Sequence, residues 1–201
     1  MEINAQMVKE LRDRTGAGIM DCRKALTEAE GSMAKAEALL KEKGMRGPKD
    51  PTRVTKQGVI ECYKHAGFQD SGSQLGALVE LNCETDFVGR TPEFRELAYE
   101  IALHVAASDP KYIDRESISA EAIETQRATF AEQLRLAGTG DDELPAKLDA
   151  RMDEWIKEVV LLEQPYVRDP KQTIRQLILA VCATTHENIR VGRFARFKVG
   201  E

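Results

Sequence analysis

Ala77-Leu78-Val79-Glu80-Leu81-Asn82-Cys83-Glu84-Thr85-Asp86-Phe87-Val88 decides how the chain is organised, because a strand pattern runs out within it. Ala77, Val79, Leu81 and Cys83 alternate with Leu78, Glu80 and Asn82, the period of two that a half-buried strand requires. Just downstream, Thr91-Pro92-Glu93 has the form of a helix start: threonine as N-cap, proline at the first helical position and an acid in the first turn. Asp86 and Phe87 are therefore predicted in a short strand-to-helix loop on a rigid scaffold. Two placements of Phe87 are open. A large ring there can anchor in a partner's pocket, or it can fold back into its own core.

Upstream, residues 1–44 read as a separate module of three short helices. Ile3, Met7 and Leu11 recur every fourth residue with Val8 beside them, Thr15-Gly16-Ala17-Gly18 breaks the pattern, and Ile19, Cys22, Leu26 and Ala29 resume it. Gly31 is expected to end the second helix and Ser32 to cap the third, whose stripe is Met33, Ala36, Leu39 and Leu40, with Gly44 as its stop. So small a bundle has a marginal core of its own. Residues 45–57, with Pro48, Pro51 and Gly47 among basic residues, read as a linker. Its charges show no regular face and no interleaved aromatics, so it is a solvated tether rather than a nucleic-acid patch.

Residues 58–201 mix strands and helices. Gly58–His65 and Gly76–Cys83 predict a hairpin closed by a polar loop containing Gly67 and Gly72. A helix over 92–107 carries Phe94, Leu97, Ala98, Ile101, Ala102 and Val105 on one face. Another, starting near Ser119, carries Ile123, Phe130 and Leu134 and stops at Gly138-Thr139-Gly140-Asp141-Asp142. Leu148, Met152, Trp155, Val159 and Leu162 then recur at heptad-like spacing, over a length better suited to packing within the molecule than to a free coiled coil. A helix over 173–185 precedes a final strand. The fold class is α+β: a three-helix module followed by a core of antiparallel sheet and helices.

Composition narrows the function. With 42% hydrophobic and 31% charged residues in a chain of 201, the protein is of the soluble globular type, with enough apolar mass for a core. A formal net charge of −5 gives no bulk attraction to nucleic acid or an anionic membrane. The start Met1-Glu2-Ile3-Asn4-Ala5 has neither the basic nor the apolar stretch of a signal peptide, and no membrane segment is expected, so the expected compartment is the cytoplasm. Cys22, Cys62, Cys83 and Cys182 are widely spaced, which argues against a disulfide framework and against zinc. No metal and no cofactor are expected.

Four segments together carry a family resemblance. Leu78–Val88 resembles the signature segment of the bacterial elongation factor Ts family, and Thr15–Leu26 is similar to that family's N-terminal signature. Leu161-Leu162-Glu163-Gln164-Pro165-Tyr166-Val167 and Glu187-Asn188-Ile189-Arg190-Val191-Gly192-Arg193-Phe194 match two further family segments, in the family's order. The resemblance implies a ubiquitin-associated-like N-terminal module and a guanine-nucleotide exchange factor for the translational GTPase elongation factor Tu. It implies that Thr85, Asp86, Phe87 and Val88 press on the GTPase near its phosphate and magnesium site, and that Arg12, Ile19 and Met20 of the N-terminal module rest on a helix of the same GTPase. It also implies a homodimer, because longer members duplicate the core and this chain has room for one. The final strand or helix 147–162 is the expected interface. Ile19 stands where methionine is common in the family, Gly89 where alanine is common, and Gln57 where glutamate is common.

Two other classes compete. The final strand places Ile189, Val191, Ala195, Phe197 and Val199 on one face and Arg190, Phe194, Arg196 and Lys198 on the other. Arginines around an exposed phenylalanine would suit a single-stranded RNA platform or a ribosome contact. Equally, these side chains can lie across a neighbouring strand and pair with acids such as Glu61 or Glu80, and the acidic chain favours that arrangement. For an enzyme there is no phosphate-binding loop, no G-x-S-x-G and no H-E-x-x-H, so direct nucleotide binding is not expected and no catalytic residues are nominated. Cys83 as a thiol nucleophile would be opposed by Glu84 beside it.

Overall fold

The computed structural model describes residues 3–15, 19–45, 52–65 and 72–201. The Gly16-Ala17-Gly18 break, residues 46–51 of the 45–57 linker and Gly67 of the hairpin loop lie outside the described residues. The fold is α+β, with three helices preceding a mixture of sheet and helices. By internal contacts the chain divides into two compact units: Met1–Cys62 with Leu78–Ala102 and Gln176–Phe194, and Tyr63–Ala77 with Leu103–Arg175 and Ala195–Glu201.

In the first unit, helices α1 (Ala5–Thr15), α2 (Ile19–Glu28) and α3 (Met33–Met45) form the N-terminal bundle. The Asn4 side chain caps α1 by accepting from the Met7 N–H at 2.8 Å. Gly31 (φ 83°) closes α2 as expected, its N–H returning to the Leu26 carbonyl at 2.8 Å. Ser32 caps α3, accepting from the Lys35 N–H at 3.4 Å. Leu11, Cys22, Leu26 and Ala36 are fully buried between the three helices. Helix α3 is described to Met45, one residue past the expected stop at Gly44.

Strands β1 (Gln57–His65), β2 (Leu75–Cys83) and β5 (Arg190–Lys198) form a sheet in the order β1-β2-β5. β2 keeps the predicted alternation: Ala77, Val79, Leu81 and Cys83 are buried. Gly58 begins β1 at φ 154°, where an added Cβ would fall 2.1 Å from the Leu81 carbonyl oxygen, so only glycine allows this approach. Helix α5 (Pro92–Ser108) buries Phe94, Leu97, Ala98, Ile101, Ala102 and Val105, the predicted stripe. Helix α8 (Ile174–Thr185) leads into β5.

β5 departs from the expected alternation. Gly192 and Arg193, adjacent in the strand, both meet Glu80: a Cβ on Gly192 would lie 3.0 Å from its carboxylate, and Arg193 Nε donates to it at 2.7 Å. Farther along the strand Phe194 is half-buried and the Arg196 side chain is only 13% exposed, whereas Phe197 is 69% exposed.

In the second unit, α6 (Ala120–Leu136) and α7 (Leu144–Val159) form a helical hairpin. Ser119 caps α6 through the Ala122 N–H at 3.1 Å. Phe130, Ala131, Leu148 and Met152 are buried together, with Ile123, Leu134 and Trp155 partly buried against them, so Leu148, Met152 and Trp155 of the heptad-like run pack within this hairpin. The Arg151 guanidinium lies 4.7 Å over the Phe130 ring. A two-stranded ladder of β3 (Pro165–Tyr166) and β4 (Asp169–Thr173) follows, which periodicity did not foresee. Beside it His104 is fully buried. Its Nδ1 accepts from the Val167 N–H at 3.3 Å, so Nε2 carries the proton and donates to Gln164 Oε1 at 2.9 Å.

Candidate functional site

The segment after β2 is a single helical turn, α4 (Asp86–Gly89), where a loop was expected. Thr85 is extended at φ −121° and ψ 154° and its Oγ1 faces the Val88 N–H at 3.5 Å, an N-cap arrangement. The same threonine's carbonyl accepts from the Cys83 thiol at 3.1 Å and from the Gly89 N–H at 3.3 Å. At the far end the Thr91 hydroxyl donates to the Val88 carbonyl at 2.9 Å and accepts from the Phe94 N–H at 3.3 Å, joining the turn to the start of α5.

Successive helical residues point about 100° apart, so one turn sorts its side chains sharply. Val88 and Gly89 face inward and are buried, while Phe87 is 81% exposed. The ring therefore stands in solvent and does not fold back. Asp86 is also exposed, its carboxylate 2.7 Å from the Arg90 guanidinium one turn on. The structure thus gathers Thr85, Asp86, Phe87 and Val88 into one turn with two residues buried or half-buried and two presented.

Residues far away in sequence hold this turn. Glu187, just after α8, accepts from the N–H groups of Glu84 and Thr85 at 3.1 Å each through Oε2, and from the Thr85 hydroxyl at 2.6 Å through Oε1. Glu84 reciprocates: its Oε1 accepts from the Asn188 N–H at 2.6 Å, and its Oε2 lies 2.8 Å from the Arg53 guanidinium. Sequence reasoning nominated neither Glu187 nor Arg53 for the site: Glu187 opens a matching family segment, but nothing in its spacing ties it to the turn, and Arg53 falls in the expected tether.

The N-terminal bundle presents a second surface. Ile3, Asn4, Ala5, Val8, Lys9, Arg12, Ile19 and Arg23 line a groove of about 590 Å³. Arg12 and Ile19 are brought together there, and Ile19 is 56% exposed. Met20 is 62% exposed but does not line the groove. Lys9 and Arg23 were not nominated, although each falls on its helix at the spacing, three or four residues, that shares a face with Arg12 or Ile19. An apolar floor rimmed by three cations suits an amphipathic, acidic partner surface.

The competing readings lose ground. Burial pushes the Cys83 thiol up to about 11, with Glu187 adding to the rise, so the thiolate is scarce. Arg196 is committed inside the protein, its Nε donating to the Ala106 carbonyl at 3.0 Å and its Nη1 lying 2.8 Å from Glu201. A half-buried Phe194 beside that arginine makes a poor stacking platform. Arg193 pairs with Glu80, whose pKa is lowered by hydrogen bonds from Asn82 and then Arg193. Among the described residues no group of acids, cysteines and histidines is arranged to hold a metal ion, and no helix is long and apolar enough to cross a membrane.

Comparison with known proteins gives one answer. The family model described as Elongation factor TS matches residues 27–201. The chain is 43% identical over 201 residues to Elongation factor Ts of Solibacter usitatus, covering all of this chain and 92% of that protein. It is 43% identical over 200 residues to Elongation factor Ts of Carboxydothermus hydrogenoformans, covering 99% and 90%. To the same factor of Fervidobacterium nodosum it is 43% identical over 202 residues, with both chains covered completely.

Proposed function

The chain belongs to the elongation factor Ts family, and from that premise we propose that it is the guanine-nucleotide exchange factor of elongation factor Tu, with the Thr85–Val88 turn as its working part. The observation that carries this reading is a phenylalanine left 81% exposed on a turn that is otherwise tied down at both ends. Anchors of this kind gain from being held ready before the partner arrives.

A GTPase holds GDP by cradling its phosphates with backbone amides and a metal ion. Phe87 need only stabilise a pocket shape in which that cradle is spoiled. Asp86 accepts hydrogen bonds from groups freed in the displaced conformation. Its present pairing with Arg90 is a surface one, 50% exposed on the acid's side, and such pairs cost little to give up. Val88 keeps the turn seated. Factor and nucleotide then oppose each other on the GTPase, and the opposition is reciprocal. This chain makes and breaks no bond, carries no cofactor and does not itself hold the nucleotide.

The remaining parts divide the labour. Residues 1–44 dock through Arg12, Ile19 and Met20 on a helix of the GTPase, 45–57 tether them, and the core at 58–201 carries the turn. Two modest contacts on one tether gain affinity through effective concentration. Two copies pair through the core in the cytoplasm. The exposure of Phe197 (69%) and Val199 (71%) supports the final strand as the shared surface over helix 147–162.

The test is binding of this chain to elongation factor Tu with and without GDP. Tight association with the nucleotide-free GTPase that GDP weakens by orders of magnitude is expected. Equal affinity in both states contradicts the reading, because a ligand without differential affinity shifts nothing.

A further inference from the structure

We infer that Glu187 is a positioning residue for exchange, setting the direction in which the Asp86–Phe87 turn is presented, and that Glu84 locks it in return. The inference rests on the exchange reading above and adds a control point about a hundred residues from the turn in sequence. Its basis is the geometry of two carboxylates, each accepting from backbone N–H groups on the other's segment. Glu187 takes the Glu84 and Thr85 N–H groups at 3.1 Å and the Thr85 hydroxyl at 2.6 Å. Glu84 takes the Asn188 N–H at 2.6 Å, one residue past Glu187.

These contacts act where the turn's direction is decided. Thr85 is the last extended residue before α4, so its dihedrals aim every side chain after it. Its N–H and hydroxyl both go to Glu187, while its carbonyl accepts from Cys83 and Gly89. Hydrogen bonds to an ionised acceptor are the strong ones, and three on one carboxylate leave Thr85 little freedom. Phe87 itself has too little burial to hold its own direction, being 81% exposed. The carboxylate therefore does for the ring what packing does elsewhere. Without it the binding-competent turn is populated only in part, and apparent affinity falls by that fraction.

The experiment is a double-mutant cycle on GDP release from elongation factor Tu, titrating the full chain as wild type, Glu187→Ala, Glu187→Gln, Phe87→Ala and Glu187→Ala/Phe87→Ala. Glu187→Ala is expected to raise the half-saturating concentration about tenfold while the plateau rate stays within about twofold. Glu187→Gln restores most of it, because its amide oxygen still accepts the two backbone N–H groups. In the Phe87→Ala background the Glu187→Ala shift shrinks to under about twofold, since there is no ring left to aim. If Glu187→Ala does not fold, Thr85→Val, which removes only the 2.6 Å contact and the cap, is expected to give a smaller shift that again disappears without Phe87.

An equal shift in both backgrounds, or none in either, overturns the inference. Amide hydrogen exchange on the free chain keeps the two readings apart: Glu187→Ala, but not Glu187→Gln, should speed exchange at the Glu84 and Thr85 N–H groups. An inactive wild type overturns the exchange reading and the role given to Glu187 in it. Unchanged protection at those two amides with an active wild type overturns the positioning role alone.

Discussion

Phe87 and Val88 are adjacent in one helical turn, yet Phe87 is 81% exposed and Val88 is 9% exposed. Seating and presentation are thereby separated by a single peptide bond. Val88→Ala is expected to lower stability by about 1–3 kcal/mol, the scale of deleting a buried side chain's methyl groups. Phe87→Ala should leave stability within about 0.5 kcal/mol of the wild type, as an exposed substitution does. Urea unfolding of both variants measures the contrast.

Gly89 predicts a gain. It is buried in α4 without a positive φ, and a Cβ added there would meet Cys83 Sγ at 3.5 Å, an ordinary contact. Gly89→Ala is expected to stabilise the protein by about 0.4–1 kcal/mol, mainly by restricting the unfolded chain. Urea midpoints at constant slope report it, and nucleotide exchange should not suffer.

The α5 stripe, the β2 alternation, the caps at Ser32 and Thr91 and the helix start near Ser119 were legible in the sequence because each depends on residues within a turn or two of one another. So was the place of Thr85–Val88 between a strand and a helix, though not the helical turn it forms. What escaped were effects of distance. The half-burial of Phe194 and the pairing of Arg193 with Glu80, more than a hundred residues earlier, depend on what lies across the strand rather than on its own period. The grip of Glu187 on Thr85 spans a similar separation. The β3–β4 ladder, only two and five residues long and containing two prolines, is too short to show a period.

Arg196 separates the RNA reading from a structural one. Its side chain is 13% exposed and bound to the Ala106 carbonyl and Glu201. Arg196→Ala is expected to cost about 1–3 kcal/mol, in line with a partly buried, charge-assisted hydrogen bond. The wild type should show no tight single-stranded RNA binding in a salt series around 0.1 M. Tight binding lost in the variant at unchanged stability would reverse this assignment.

His104 gives the protein an acid-sensitive joint. Burial lowers its pKa below the ordinary 6.5, so the folded protein keeps it neutral. The unfolded chain takes up the proton first as pH falls, so protons favour unfolding. Protonation would also set an Nδ1 proton against the Val167 N–H, now bound to that nitrogen at 3.3 Å. Stability should therefore fall as pH drops through 6.5 toward the lowered value, the loss complete only below it. Thermal melts from about pH 7.5 to about pH 5.5 test this, and His104→Gln, less stable throughout, should flatten the slope in that window.

The central claim is that an exposed ring on a tied-down turn drives GDP out of the partner. Stopped-flow release of a fluorescent GDP analogue from elongation factor Tu, with the wild type and with Phe87→Ala, tests it most directly. The account predicts strong acceleration by the wild type and at least about a tenfold loss in the variant, equivalent to about 1.4 kcal/mol of transition-state stabilisation. Acceleration that survives Phe87→Ala undiminished would contradict the role given to the ring, and no acceleration by the wild type would contradict the function itself.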